Sequence, residues 1–241
     1  MNADRDHLKR LAAHRAVEEV EDGMILGLGT GSTAAHVLEG LSKRVAAGLK
    51  IAGIPTSERT AAEARRLGIP ITSFAEHPAI DLTIDGADEV ERGTLNLIKG
   101  LGGALLREKI VAAASARLVI VVDDEKIVDR LGEHTPVPVE ITRFGWQATA
   151  RALARLGCVP ELRRAVADQP YLTDGGNFIL DCRFRSLTDP GAVERAIAMT
   201  VGAIESGLFV GRSSAVIVAS AAGVEMLTPR PRAETRKRTP E

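Results

Sequence analysis

The sequence predicts an α/β fold, a doubly wound and mostly parallel Rossmann-like sheet domain with an inserted ferredoxin-like α+β domain. Short apolar strands alternate with amphipathic helices through the first half of the chain, and this alternation is typical of parallel sheets. After about residue 131 the order changes to β-α-β-β-α-β, which is the split pattern of a ferredoxin-like unit. Strand-forming sequence then returns near the end of the chain. These three observations predict one sheet domain interrupted by a second, smaller domain.

The change of pattern also predicts the domain boundaries. Residues 1–131 and 207–228 are assigned to the Rossmann-like domain, and residues 132–206 to the inserted domain. Residues 229–241 are basic and have no apolar face, so they are predicted to form a disordered tail.

Apolar periodicity predicts the elements of the first domain in order. One stripe makes residues 4–21 an amphipathic helix; it consists of Leu8, Leu11, Ala12, Val17 and Val20. Alternating apolar residues at 80, 82 and 84 indicate a strand. The full prediction is a helix at 4–21, a strand at 24–28, a helix opening at 29–33, a strand at 50–54, a helix from 57, a strand ending near 84, a helix carrying Glu108 and a strand at 118–122.

The inserted domain is predicted from its turn residues. Asp189-Pro190 is a typical helix start, with Asp at the cap and Pro in the first turn. The predicted order is a strand at 137–141, a helix at about 143–155, a strand at about 158–164, a turn at 174–177, a strand at 178–184, a helix from 189 and a strand near 203. Residues 208–210 and 215–219 are predicted to be strands that return to the first sheet.

Composition excludes several classes of function. Aromatic residues make up 3% of the chain and the net charge is −1, so neither base stacking nor a basic field favours nucleic acid. No apolar run has the length of a membrane span. The two cysteines, Cys158 and Cys182, lack metal-ligand spacing. A cytoplasmic protein without a nucleic-acid or membrane partner is predicted.

The glycine-rich segment Gly29-Thr30-Gly31-Ser32-Thr33 lies between a predicted strand and a predicted helix. Such a turn presents backbone N–H groups at a positive helix end, and its hydroxyls add donors, so it suits a phosphate. It lacks both the last glycine of the dinucleotide fingerprint and the Lys-Ser/Thr pair of a Walker loop. The alternative is a tight strand-to-helix turn with no ligand.

The segment Asp85-Gly86-Ala87-Asp88-Glu89 places three carboxylates at a strand end. Its possible roles are binding of hydroxyl groups, binding of a divalent metal, or a solvated acidic loop. Lys99 and Glu108 follow, separated by a glycine cluster that could fold one towards the other. Glu108 could then be a general base and Lys99 could hold a developing oxyanion. The alternative is that Glu108 is a surface partner of Arg107 or Lys109.

With these motifs in order, the chain resembles the ribose-5-phosphate isomerase type A family. The resemblance covers about residues 5–228 and is most specific where DGADE is followed by IKG and REK. Other matching segments are GLGTGSTAAHVLEGL, TSERTAAEARRLGIP, VVDDEKIVDRLG, PVPVEI, TDGGNFILD and GLFVGRSSAVIV.

The resemblance implies reversible conversion of D-ribose 5-phosphate and D-ribulose 5-phosphate through a cis-enediolate. This reaction belongs to the non-oxidative pentose phosphate pathway and would need no metal and no organic cofactor. Among the implied catalytic residues, Glu108 is the proton-shuttling base and Asp85 serves ring opening. Asp88 and Lys99 bind hydroxyls and stabilise the enediolate oxygen. The implied substrate-binding residues are Lys9, Thr30, Gly31, Ser32, Thr33, Gly86, Ala87, Gly100, Leu101, Gly102 and Lys126.

The resemblance further implies a homodimer or homotetramer, with the inserted domain as a lid or oligomerisation unit. One position departs from the family, which commonly has glycine where this chain has Leu101. A side chain there excludes glycine-only backbone angles. Two other functions stay open: a sugar-phosphate sensor without catalysis, and a related enzyme such as an amino-sugar phosphate deaminase.

Overall fold

The structure is a computed structural model that describes residues 2–185 and 187–229. Its helices are α1 Asn2–Val17, α2 Ser32–Ala46, α3 Glu58–Arg66, α4 Leu105–Ala113, α5 Trp146–Ala154 and α6 Pro190–Ala198. Its strands are β1 Ile25–Leu28, β2 Ala52–Pro55, β3 Ile80–Asp85, β4 Glu89–Glu91, β5 Leu97–Ile98, β6 Ser115–Asp123, β7 Ile127–Val128, β8 Val137–Ile141, β9 Cys158–Leu162, β10 Phe178–Phe184, β11 Ala203–Ser206, β12 Leu208–Phe209, β13 Ala215–Ser220 and β14 Gly223–Leu227. None of the helices in these ranges is long and apolar enough to cross a membrane.

The largest sheet has six strands in the order β2-β1-β3-β6-β13-β14. Five of them are parallel, and β14 closes one edge antiparallel to β13. Both faces of β6 are buried: Val119 and Val121 pack with α1 and α2, while Ile120 and Val122 pack in a separate cluster on the other side. Burial on both faces is the reason that this strand is a continuous apolar run rather than an alternating one.

The second sheet has four antiparallel strands in the order β11-β8-β10-β9. With α5 and α6 it forms its own apolar cluster, which includes Val139, Leu153 and Ile197. The β-α-β-β-α-β order and this strand order together define a ferredoxin-like unit. The predicted fold class is therefore confirmed.

The strand prediction is wrong at residues 208–210. They do not return to the first sheet, because β12 pairs with β5 in a third, small sheet of order β12-β5-β4-β7. Strands β4, β5, β7 and the antiparallel edge strand β14 have no counterpart in the prediction. The small strands have two or three residues each, too few for a periodic signal. The predicted tail at 229–241 lies outside the described residues, except for Pro229.

The small sheet turns Glu89 away from the other carboxylates of its segment. Glu89 is buried, and its carboxylate accepts hydrogen bonds from the N–H groups of Gly132, His134 and Thr135 at 2.6–2.7 Å. These residues form the connection that leads into β8. Glu89 therefore fixes the point at which the chain enters the ferredoxin-like unit.

We expect Glu89→Gln to destabilise the protein. The amide keeps one acceptor oxygen and turns an NH₂ group towards backbone N–H donors, so at least one buried donor loses its partner. The free energy of unfolding should fall by about 2–4 kcal/mol, as expected for charge-assisted bonds. Urea unfolding measures it, and Glu133→Gln in the same connection is the control because Glu133 is exposed. Equal stability of the two variants would contradict this role.

Candidate active site

The candidate site lies where the order of the main sheet reverses. The chain leaves β1 towards β2 on one side, while β3 lies on the other side of β1. Ligands bind at such switch points, outside the carboxyl ends of the strands. The Gly29–Thr33 turn follows β1 and Asp85 ends β3. The N–H of Thr30 donates to Asp85 Oδ1 at 3.1 Å, so the two turns are joined directly.

At the centre of the site the Lys99 ammonium lies between two carboxylates. Its Nζ is 3.0 Å from Asp85 Oδ2 and 3.5 Å from Glu108 Oε1. It also donates to the carbonyl oxygen of Gly86 at 2.6 Å. All three charged side chains are buried, each with less than a twentieth of its surface exposed. Lys99 and Glu108 therefore meet in space, as predicted, and Glu108 is not a surface partner of its helix neighbours.

The backbone around Lys99 explains how an ammonium reaches this depth. Lys99 follows β5, and its N–H donates to the carbonyl of Gly207 at 2.8 Å. Gly207 must be glycine, because a Cβ there would lie 2.1 Å from the Lys99 carbonyl oxygen. The ring of Phe209 lies 5.7 Å from Lys99 Nζ, a cation–π distance. The segment that joins β11 to β12 therefore supports the lysine from behind.

Burial and crowding shift the ionisation of these groups. Burial raises the pKa of the Glu108 carboxyl to about 8; the Lys99 ammonium opposes the rise, and Asp85 and Asp88 add to it. Burial works against the charge on Lys99, but Asp85 and Glu108 outweigh it and the pKa of Lys99 lies above its ordinary value. Burial also raises the pKa of Asp88, against the effect of a hydrogen bond from the N–H of Leu101. Near neutral pH the site therefore holds a charged lysine and a Glu108 that can gain or lose a proton.

The loop from Lys99 to Gly103 shapes one wall of the site. Gly100 and Gly103 have φ values of +100° and +83°, which favour glycine. Leu101 is not at a positive φ, its side chain is 41% exposed, and its N–H donates to Asp88 Oδ2 at 2.9 Å. A side chain at this position therefore strains nothing and leaves the backbone contact to Asp88 in place.

The opposite wall offers donors for an anion. Lys9 Nζ on α1 donates to Ser32 Oγ at 3.0 Å. Gly31 has a φ of +128°, and α2 starts next to it without a side-chain cap, so its first N–H groups face outward at a positive helix end. Thr30 is different: its hydroxyl is used in a buried network with the hydroxyls of Thr56, Ser57 and Thr60.

A cavity of about 130 Å³ lies between these walls. Most of the sequence-predicted residues line it: Lys9, Thr30, Gly31, Ser32, Thr33, Gly86, Ala87, Asp88, Lys99, Gly100, Gly102, Glu108 and Lys126. Asp85 lies beneath the cavity, against Lys99, and Leu101 contributes its backbone N–H rather than its side chain. Across residues 2–185 and 187–229, no three His, Cys, Asp or Glu side chains group to hold a metal ion.

Sequence reasoning missed the supporting residues from the second half of the chain. Gly207 and Phe209 lie inside a matched segment, but nothing in their local sequence points to Lys99. Arg163 of the ferredoxin-like unit reaches the carbonyls of Gly100 and Leu101. No periodicity or motif marks that arginine as part of the site, because the loop atoms that it contacts are backbone carbonyls more than 60 residues away.

Fold and site together define a class of protein: an α/β protein with a buried carboxylate–lysine centre at the switch point of a parallel sheet, beside a helix start that offers donors for an anion. A family model described as ribose 5-phosphate isomerase A (phosphoriboisomerase A) matches residues 52–223. The chain belongs to this family, and the family predicted from sequence is confirmed.

Individual relatives agree with this assignment. A ribose-5-phosphate isomerase A of Gloeobacter violaceus is 62% identical over 94% of this chain and 98% of its own length. That of Gluconobacter oxydans is 52% identical over 92% and 96%. Among solved structures, the ribose 5-phosphate isomerase of Plasmodium falciparum has a TM-score of 0.90 at 39% identity and covers 94% of this chain and 100% of that one. A D-ribose-5-phosphate isomerase in complex with phospho-erythronic acid has a TM-score of 0.90 at 39% identity, over 93% and 99%.

We expect the ionisation of Glu108 to make stability depend on pH. In the unfolded chain the carboxyl loses its proton near its ordinary pKa, whereas in the folded protein it keeps the proton up to about 8. The folded state binds more protons in this window, so the free energy of unfolding should fall as pH rises through it. Glu108→Gln stays neutral and should lose that slope.

Urea unfolding at a series of pH values between about 5 and 9 measures the difference. The stability of Glu108→Gln relative to wild type should increase with pH and level off above about 8. Glu133→Gln, at an exposed position, should follow the wild-type curve. Parallel curves for Glu108→Gln and wild type would show that Glu108 ionises normally in the folded state.

Proposed function

We propose that this protein interconverts D-ribose 5-phosphate and D-ribulose 5-phosphate by moving a proton between C2 and C1. Membership of the family makes it an aldose–ketose isomerase. The observation that carries the mechanism is the buried contact between Lys99 Nζ and Glu108 Oε1 at 3.5 Å at the cavity wall. This contact places a carboxylate base and a fixed cation beside the same small cavity. The proposed setting is the cytoplasm, as the sequence analysis predicts.

The phosphate of the substrate is proposed to bind at the end of the cavity formed by Lys9, Lys126 and the 31–33 turn. Two ammonium groups and outward-facing N–H groups at a helix start suit a dianion. This group lies away from the reacting carbons. Its binding energy can therefore orient C1 and C2 towards Glu108 without taking part in the chemistry.

Glu108 is proposed to be the base that removes the proton from C2 of the aldose. Its Oε2 is buried and has no hydrogen-bond partner among the described residues, so it is free to meet a C–H group. A pKa of about 8 lies near neutral pH, where a base that takes and returns the same proton is most effective. Return of the proton to C1, together with transfer of the O2 hydroxyl proton to O1, completes the ketose.

Lys99 is proposed to stabilise the oxygen that becomes negative when the C2 proton leaves. A fixed ammonium in a buried site stabilises developing charge more strongly than water does, because its dipolar surroundings need not reorganise. Asp88 faces the same cavity and is proposed to bind the neighbouring sugar hydroxyl. Asp85 is proposed to contribute to ring opening. In this arrangement Lys99 lies between the Asp85 carboxylate and the sugar. The ferredoxin-like unit, assigned to residues 132–206, is proposed to close the cavity against water.

We expect Glu108→Gln to fold normally and to lose turnover by about 10²- to 10⁴-fold, the usual contribution of a general base. The assay is incubation of the chelator-treated protein with ribose 5-phosphate in deuterated water. NMR follows ketose formation and deuterium at C1 and C2. Wild type should form ribulose 5-phosphate that carries solvent deuterium, and Glu125→Gln should match it, because Glu125 pairs with Arg5 outside the cavity.

The outcomes separate the proposal from its alternatives. Near-normal turnover by Glu108→Gln would remove Glu108 from the base role. Binding of ribose 5-phosphate by the wild type without conversion or exchange would favour a sensor. Conversion of an amino-sugar phosphate in its place would favour a deaminase.

We further propose that the protein forms a homo-oligomer through the ferredoxin-like unit. Phe144, Met199 and Val201 are each more than four-fifths exposed, and they border an apolar groove of about 770 Å³ between α5 and the turn after α6. Contiguous apolar surface of this kind marks an interaction site. A two-fold axis through the groove would let the same three side chains cover each other, because such an interface is self-complementary.

We expect Phe144→Ser combined with Val201→Ser to lower the assembly state of the protein. The double variant removes apolar side chains from the groove and leaves the cavity of the candidate active site unchanged. Sedimentation velocity should show a smaller species than wild type, whereas Phe74→Ser, at an exposed position on the other domain, should leave the size unchanged. A wild-type monomer, or an unchanged oligomer in the double variant, would overturn this interface.

A further inference from the structure

We propose that Arg163 is a positioning residue that controls Asp88 through the peptide group between Gly100 and Leu101. The inference rests on the proposed function, because it assigns the ferredoxin-like unit a part in the same reaction. Arg163 follows β9 in that unit and contacts neither the cavity nor a catalytic side chain. It acts on Asp88 through backbone atoms of the loop that forms the cavity wall, and its positive charge also favours the Asp88 carboxylate directly.

One peptide group is held at both ends. Its carbonyl, on Gly100, accepts a hydrogen bond from Arg163 Nη1 at 3.0 Å. Its N–H, on Leu101, donates to Asp88 Oδ2 at 2.9 Å. A cation at the carbonyl and a carboxylate at the N–H both align with the peptide dipole, so each bond polarises the peptide in favour of the other. Arg163 thereby fixes the direction of the N–H that holds Asp88.

Arg163 is itself held rigidly. Its Nε donates to Asp181 Oδ2 at 2.9 Å and its Nη2 donates to Asp181 Oδ1, in a bidentate pair. Its Nη1 also donates to the carbonyl of Leu101 at 3.0 Å, and its side chain is only 11% exposed. A planar, bidentate guanidinium has one orientation, which a flexible lysine ammonium cannot reproduce. The position of β10, which carries Asp181, therefore sets the direction of the hydrogen bonds that Arg163 donates to the loop.

Tyr171, which lies beside Arg163, packs against the outer side of the same loop. Its ring lies 5.9 Å from the Arg163 guanidinium carbon. Its hydroxyl would lie 2.2 Å from a Cβ at Gly103, so that end of the loop packs directly against it. The ferredoxin-like unit thus contacts the loop at the carbonyls of Gly100 and Leu101 and at Gly103. The opposite side of the loop is left to the substrate.

Loss of Arg163 should affect Asp88 in a defined direction. The peptide is then free to rotate, and the Leu101 N–H, which opposes the raised pKa of Asp88, is no longer fixed. The pKa of Asp88 therefore rises further. Arg163→Lys keeps the positive charge but not the fixed hydrogen bonds, so it separates the effect of the charge from that of the peptide contact. The proposed phosphate end, at Lys9 and Lys126, is not part of this contact, so kcat should fall more than KM rises.

The experiment compares Arg163→Ala with Arg164→Ala, its neighbour in sequence. Arg164 is half exposed and pairs with Asp168 rather than with the loop, so it is a matched control. We expect kcat to fall about 10- to 100-fold in Arg163→Ala, as for other losses of positioning, and to change less than about twofold in Arg164→Ala. Free guanidinium at millimolar concentration should restore part of the activity of Arg163→Ala, while methylammonium should not.

Amide hydrogen exchange gives a readout that does not depend on turnover. The Leu101 N–H should exchange faster in Arg163→Ala than in wild type, while amides of β6 should keep their protection. Arg163→Lys keeps the positive charge but cannot make the fixed hydrogen bonds, so it should show the same faster exchange at Leu101 with a smaller loss of kcat. If Arg163→Ala does not fold, Asp181→Asn, which loosens the guanidinium but keeps it, should show a weaker form of both effects.

The proposal is overturned if Arg163→Ala keeps the wild-type kcat and the wild-type exchange rate of the Leu101 N–H. It is also overturned if the loss of activity only follows a loss of folded protein and guanidinium does not restore it. Faster exchange at Leu101 in a protein that proves inactive towards ribose 5-phosphate would leave the positioning contact standing while the proposed function fails. Glu108→Gln in the isomerase assay tests the proposed function separately.

Discussion

The buried ammonium of Lys99 is the interaction on which the rest of the site depends. Removing a lysine charge from water is expensive, and a single partner seldom compensates for it. Here Asp85, Glu108 and the Gly86 carbonyl surround the ammonium within 3.5 Å. Asp88 adds a further carboxyl nearby, so carboxyl groups outnumber the one cation. Burial raises the pKa of Glu108 to about 8, with Asp85 and Asp88 adding to the rise and the Lys99 ammonium opposing it. This raised pKa supports the proposed role of Glu108 in carrying a proton.

The fold supplies the other stabilising contacts from backbone atoms. Asp85 Oδ1 accepts the N–H groups of Thr30 and Gly86, and Asp88 accepts the N–H of Leu101. The donors on Thr30 and Gly86 lie in turns at the carboxyl ends of the parallel strands β1 and β3, the edge at which ligands bind. Leu101 instead follows β5 of the small antiparallel sheet. The site therefore depends on both sheets, because turns from each supply backbone donors to its carboxylates.

The helix that carries Glu108 is fixed on its other face by a second buried cation. Lys109 Nζ lies 3.2 Å from Glu194 and 2.8 Å from Glu205, both in the ferredoxin-like unit. The ring of Phe209 lies 5.0 Å from this ammonium and 5.7 Å from that of Lys99. One aromatic ring thus lies close to both lysines, so the helix of Glu108, Lys99 and the ferredoxin-like unit pack together.

The sequence by itself determined the fold class and most of the strands, because apolar periodicity is local. Its motifs placed the glycine turn, the carboxylates and Lys99 near strand ends, while other residues that line the cavity, such as Lys9 and Lys126, followed from the resemblance to the family. Only the tertiary structure decided which carboxylates belong together: Asp85 and Asp88 turn to the site, while Glu89, next to Asp88 in sequence, turns to the connection at 132–135. It likewise decided that residues 208–209 pair with β5 and that Arg163 acts on a distant loop. These choices depend on backbone hydrogen bonds between remote segments, which leave no pattern in the side chains of either segment.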